Sequence, residues 1–211
     1  TDNGSYASDV STLFLEKEFV IFDTETTGLD VYNDDIIQIA AIKVKNGKIV
    51  PNTEFNRIIR TDRTIPSVLA NNKPNIMLNV YQNSIKYDHN VALSEFMEYI
   101  GDLPLVGHNI NYDIRILEQN LQRYVNNDCS LATFECYDTL KIAKLLDPNL
   151  RSHKLEFLLK YFNLEGVNSH NAIDDVKATY SLLQNMSSRL IAIGFSQYDI
   201  LNNPESQRVK N

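Results

Sequence analysis

Phe19-Val20-Ile21-Phe22-Asp23-Thr24-Glu25-Thr26-Thr27-Gly28-Leu29 is the stretch on which the reading of the whole chain turns. Four apolar residues in succession suit a central strand covered on both faces, and the run ends abruptly on Asp23. Side chains alternate across a strand, so Asp23 and Glu25 share a face and can reach one ion together. An isolated D-x-E is more often a solvated strand end than a ligand pair. Here the strand brings two charges to the mouth of an apolar core, a costly placement unless a cation is held there.

Working outward, Asp34-Asp35 precede Ile36 to Val44, a second strand. Asn46-Gly47 then marks a two-residue turn into a third strand from about Ile49 to Ile59. The polar stretch from about Arg60 to Asn90 contains Pro66 and Pro74, and it reads as a variable loop region over the site with a few short helices at most. Ala92 to Ile100 is an amphipathic helix stopped by Gly101. Beyond it the order is strand (Leu103 to Val106), helix (Asp113 to Tyr124), strand (Thr133 to Asp138) and helix (Thr139 to Leu146), with helices over Lys154 to Phe162 and Ile173 to Leu190. Strands in hairpin order followed by strands alternating with helices predict an α/β fold, a mixed five-stranded sheet flanked by helices on both faces.

The 211 residues, 43% hydrophobic, can enclose one sizeable core. A single domain over residues 15–190 is expected, with a polar, aperiodic arm over 1–14 and a tail of unknown role over 191–211. No apolar run reaches bilayer length and the opening lacks signal-peptide character, so a soluble, cytoplasmic protein is expected. Cys129 and Cys136 have no second Cys or His pair at metal-ligand spacing and read as reduced residues. The net charge of −7 excludes a broad basic face for coating duplex nucleic acid. It leaves room for an enzyme that holds a few nucleotides through bound cations.

Two further segments carry chemistry. In Leu105 to Leu117, Asp113 follows a short strand at the start of a helix, where an acid can complement the helix dipole; His108, Asn109, Asn111 and Tyr112 crowd the same junction. In His170-Asn171-Ala172-Ile173-Asp174-Asp175-Val176, His170 precedes the longest helix and Asp175 lies about one turn inside it. Adjacent helical residues diverge, so only one of Asp174 and Asp175 faces the site, and Asp175 is chosen. With a carboxylate beside it, His170 is a candidate base for taking a proton from water.

Together these segments resemble the three motifs of the DnaQ-like, or DEDDh, exonuclease family. D-x-E followed by T-T-G-L is matched by Asp23, Glu25 and Thr26 to Leu29; N-x-x-[FY]-D by Asn109 to Asp113; H-x-x-x-x-D by His170 and Asp175; and a weaker family segment by Tyr137-Asp138-Thr139-Leu140. The resemblance runs from about Glu18 to Met186 and implies a ribonuclease-H-like fold and two-metal hydrolysis of phosphodiesters from a 3′ end, releasing nucleoside 5′-monophosphates. It implies two Mg²⁺ or Mn²⁺ ions, with Asp23 bridging them, Glu25 and Asp175 on one, Asp113 on the other, and His170 as general base. It makes Thr26, Thr27, Gly28 and Leu29 candidates for holding the terminal nucleotide; His108 and Asn109 are further candidates that could equally fix the junction. The family's Ile-Thr helix opening is missing from Pro74 to Tyr81. The expected partner is single-stranded nucleic acid or a frayed 3′ end, DNA in preference to RNA, with a polymerase or helicase as separate subunit or same chain. An RNA-trimming enzyme and a nonenzymatic binding module on the same fold are the alternatives.

Overall fold

The computed structural model describes residues 3–166 and 171–192. The apolar run becomes β1 (Glu18–Thr26), paired antiparallel with β2 (Ile36–Lys45) in a register that sets Asp23 opposite Ala40 and Glu25 opposite Gln38. Beyond β2 lies antiparallel β4 (Phe55–Ile59); on the other flank of β1 lie parallel β6 (Leu105–Gly107) and β7 (Cys136–Asp138). These are the expected five strands. Two more of two residues each are added: β3 (Lys48–Ile49), which pairs with the end of β2, and β5 (Lys86–Tyr87), which extends the β4 edge. The order across the sheet is β5-β4-β2-β1-β6-β7.

Alternation along β1 separates two cores. Phe19 and Ile21 point to the face that also buries Ala40, Ile42 and Val44, while Val20 and Phe22 point to the other, with Ile39 and Ala41. The first face is covered by α7 (Ala172–Ala192), and the second by α3 (His89–Ile100) and α4 (Ile110–Tyr124). Asp23 and Glu25 continue the α7 side of this alternation, and Thr24 and Thr26 the α4 side. Helices α2 (Ile76–Gln82), α5 (Thr139–Leu146) and α6 (Leu155–Tyr161) lie in the connections between these elements. None of the described helices is long and apolar enough to cross a membrane.

Three expectations need correcting. The aperiodic arm is instead α1 (Asn3–Glu16), and Val10, Leu13 and Phe14 are buried against α7 and the sheet. Val10, Leu13 and Phe14 stand at i, i+3 and i+4, one helical stripe set among polar residues that mask it in the sequence. The third strand is broken between β3 and β4 at Pro51-Asn52, where Asn52 adopts φ 61° and Thr53 caps the bend through the Val50 carbonyl. Helix α4 starts at Ile110, three residues before Asp113, because Asn109 takes the left-handed conformation (φ 65°) that turns the chain out of β6.

Candidate active site

β1 delivers Asp23 and Glu25 at its C-terminal end, and the first turn of α7 delivers Asp175 to the same face. One carboxylate oxygen from each of the three lies within 4.8 Å of the others. Asp113, 3% exposed in the first turn of α4, approaches from the opposite side of β1 and accepts a 2.5 Å hydrogen bond at Oδ1 from the Thr24 hydroxyl. It stands outside the tight trio, yet its charge acts on both Asp23 and Glu25.

Among the described residues, no Lys or Arg forms an ion pair with these four carboxylates. Burial, followed by repulsion from neighbouring carboxylates, holds the Asp23 and Glu25 carboxyls well above their usual range. Burial also pushes Asp113 up to about 7 against the opposing pull of its Thr24 hydrogen bonds, and Asp175 up to about 7 against that of the adjacent Asp23 carboxyl. The Asp175 Oδ1 atom is buried without a hydrogen-bond partner among the described residues. Desolvated carboxylates crowded together with an orphaned oxygen fit a hard divalent cation, and the all-oxygen donor set suits that class better than a softer metal.

The start of α7 is fixed from within the sheet. Gln38 is fully buried, and its Oε1 accepts the Ala172 N–H at 2.9 Å, which settles the orientation of the carboxamide because a backbone N–H can only donate. Its Nε2 then donates to Asn171 Oδ1 (2.9 Å) and Asn56 Oδ1 (3.0 Å). Asn171 Oδ1 also accepts from Ile173 N, so Gln38 braces the cap of the helix that carries Asp175.

The Thr26 to Leu29 segment divides into scaffold and projection. The Thr26 hydroxyl, the Tyr112 hydroxyl and the Gly28 carbonyl lie within 2.7–2.8 Å of one another, and Thr27 Oγ1 donates to Asp34 Oδ1 while accepting Asp35 N–H. Gly28 is required by Asp34: a Cβ there would stand 2.5 Å from Asp34 Oδ2. Its small size therefore serves the loop itself. Leu29 is 84% exposed and faces the cleft that contains Asp23 and Asp175, so it is no buried cap.

His108 is held inside the junction by its own protein partners. Burial drives its pKa down to about 4, so the ring is neutral; Nε2–H donates to the His153 carbonyl (2.8 Å) and Nδ1 accepts from Thr139 (2.8 Å). Both nitrogens are occupied by protein, which leaves neither for a substrate. Asn109 gives its N–H to Asp138 Oδ1, and Asp138 in turn caps α5 through Leu140 N. His170 lies outside the described residues. Sequence reasoning missed Gln38 and Thr24, and it quoted Asp138 in a family segment without giving it a role; for Gln38 the visible signal was one polar residue inside the apolar run Ile36 to Ile42.

A family model described as exonuclease matches residues 20–183. Among relatives, a PolC-type DNA polymerase III from Halalkalibacterium halodurans is 35% identical over 174 residues, 82% of this chain and 11% of that protein. The Bacillus subtilis PolC-type polymerase is 31% identical over 90% of this chain and 13% of its own length. The chain thus spans only about an eighth of these polymerases. Of solved structures, E. coli Exonuclease I in complex with a dT13 oligonucleotide superposes with a TM-score of 0.68 at 18% identity, over 90% of this chain and 45% of that one. Exonuclease X in complex with 5′-overhanging duplex DNA gives 0.58 at 24% identity, over 86% of this chain and 98% of that one. With its ribonuclease-H-like sheet, its acidic trio at the end of β1 and a family match across most of its length, the chain belongs to the DnaQ-like exonuclease family.

Proposed function

We propose that this chain hydrolyses phosphodiesters stepwise from the 3′ end of single-stranded or frayed DNA, using Mg²⁺ or Mn²⁺ and releasing nucleoside 5′-monophosphates. The observation that carries the proposal is the convergence of Asp23, Glu25 and Asp175 within 4.8 Å, with the buried Asp113 acting on the same charges from behind β1. Asp23, Glu25 and Asp175 would hold one cation, and Asp23 with Asp113 a second. The cations, when bound, supply charge neutralisation at the phosphate and water acidified enough to react near neutral pH. His170, five residues before Asp175, takes the proton from that water. Leu29, exposed over the cleft, packs against the terminal base, and Asn109, exposed at the same rim, is within the cleft lining.

DNA is favoured over RNA because the similar full-length proteins are DNA polymerases and the superposable exonucleases were seen with DNA. The likeness to PolC-type polymerases supports a chain that works beside a polymerase, as a subunit or as part of a longer protein, and the proposed location is the cytoplasm. The test is incubation of 5′-labelled and 3′-labelled single strands of DNA and RNA with Mn²⁺ or with EDTA. Ladders that shorten from the 3′ end of DNA and vanish in EDTA are expected. Shortening from the 5′ end, or internal nicking, would overturn the polarity; faster loss of RNA would reverse the substrate preference.

A further inference from the structure

A cleft of about 780 Å³ opens from the carboxylates, and its lining brings Asp23 and Asp175 together with Lys144, Arg151 and Lys154. Arg57, Arg60, Arg63, Arg123, Lys160, Lys177 and Arg189 each have a carboxylate within 4 Å, whereas Lys144, Arg151 and Lys154 have none among the described residues. In a chain of net charge −7, three cations with no carboxylate within 4 Å among the described residues gather in the lining of the cleft that also holds Asp23 and Asp175, and Lys144 acts at longer range on the Asp138 carboxyl.

The wall is also firmly built. Arg151 and Lys154 stand on the segment between α5 and α6, which is tied down at three points. His108 Nε2–H donates to the His153 carbonyl, His153 Nε2–H donates to the Asp147 carbonyl at 2.7 Å, and the Asp147 carboxylate forms a two-pronged pair with Arg189 of α7 at 2.7 and 2.8 Å. Arg151 is further steadied over the Phe157 ring, 5.1 Å from its centroid. Lys144 sits in the last turn of α5, half-buried, facing the same space. The neutral His108 thus has a use: it clips a cationic segment to the end of β6, beside the carboxylates. Fixing the segment in advance leaves less freedom to lose when a ligand binds.

We infer that Lys144, Arg151 and Lys154 form a backbone-binding wall for phosphates of the single strand upstream of the scissile one, so that affinity grows with strand length beyond the terminal nucleotide. This rests on the exonuclease reading for the identity of the strand, and it adds a binding track that contacts phosphates and no base edges, hence one without sequence preference. Each phosphate contact on a single strand contributes about 0.7 to the slope of log affinity against log salt, so three contacts contribute about 2.

The experiment is fluorescence anisotropy with 5′-fluorescein oligothymidylates of two and eight nucleotides, in Ca²⁺ and at salt from 50 to 200 mM, on the chain and on a variant carrying Lys144→Gln, Arg151→Gln and Lys154→Gln. The expected result is an eight-nucleotide affinity at least tenfold weaker in the variant, a salt slope smaller by about 2, and a much smaller loss for the two-nucleotide strand. A second variant with Lys144→Arg and Lys154→Arg keeps the charge and should keep the slope. Equal losses for both lengths, or an unchanged slope, would overturn the wall. Failure of the exonuclease reading is seen separately, as length-dependent binding by the wall without shortening of the strand in Mn²⁺.

Discussion

The Thr24 hydroxyl donates to Asp113 Oδ1 at 2.5 Å, joining β1 to α4 through the back of the strand whose front carries Asp23 and Glu25. Both groups are buried, and this bond opposes the upward push of burial on the Asp113 carboxyl. Replacing Thr24 with Val preserves shape and removes the donor. The expected cost is about 1–3 kcal/mol, seen as a lower melting temperature in EDTA, because a buried acid is left short of a partner. An unchanged melting temperature would show that the bond does not hold the site together.

Asp23→Ala should empty the position on which Asp113, Glu25 and Asp175 all act. Activity should disappear and Mn²⁺ binding by calorimetry should be lost, while the metal-free protein melts higher, by about 2–4 °C for each kcal/mol of relieved strain. His170→Ala should keep Mn²⁺ binding and lose rate by about 10²–10⁴-fold, the range for a general base. Equal loss of metal affinity in the two variants would contradict the division of roles.

Metal-free stability should depend on pH in a definite direction. Asp113 and Asp175 titrate near 7 in the folded chain against an ordinary 3.8, so folding favours their protonated forms. That contribution is fully present below the unfolded value and is lost as pH rises through about 7. Thermal melts in EDTA from pH 5 to 8 should therefore show the wild-type chain falling relative to Asp175→Asn, and Mn²⁺ at pH 8 should restore it. Parallel curves for the two proteins would contradict the assignment.

Gln38→Leu strips the brace from the start of α7, leaving Asn56, Asn171 and the Ala172 N–H without their buried partner. The expected loss is several degrees of melting temperature, accompanied by weaker Mn²⁺ binding because Asp175 rides on the loosened turn. A fall in stability with unaltered Mn²⁺ affinity would separate the brace from the metal site.

Leu29→Ala should leave stability within about 0.5 kcal/mol, since the side chain is 84% exposed. Its apparent KM for single-stranded DNA should rise about tenfold, the scale of losing a Leu packed against a base. Steady-state kinetics with a 5′-labelled strand checks this.

The parts legible in sequence were those set by neighbours along the chain. Alternation in β1 placed Asp23 and Glu25 on one face without help from any distant residue, and Gly101, with φ 53°, ended α3 where expected. What stayed hidden was set by contacts far apart in sequence. The packing of Gly28 against Asp34 and the bond from the His108 ring to the His153 carbonyl, 45 residues away, are of this kind. Gln38 announced itself as a polar residue in an apolar run, but its purpose depends on Asn171, 133 residues later. Asp113 and Asp175 were found through motif order, since no local pattern brings α4 and α7 to the end of β1.

The central claim is that the acids at the end of β1 form a two-cation centre, and it is tested most directly by anomalous difference maps from crystals soaked in Mn²⁺. The account predicts two peaks roughly 3.5–4 Å apart, one among Asp23, Glu25 and Asp175 and the other between Asp23 and Asp113. Mn²⁺ peaks only at other surface acids, with Asp23 and Asp175 unliganded, would contradict it.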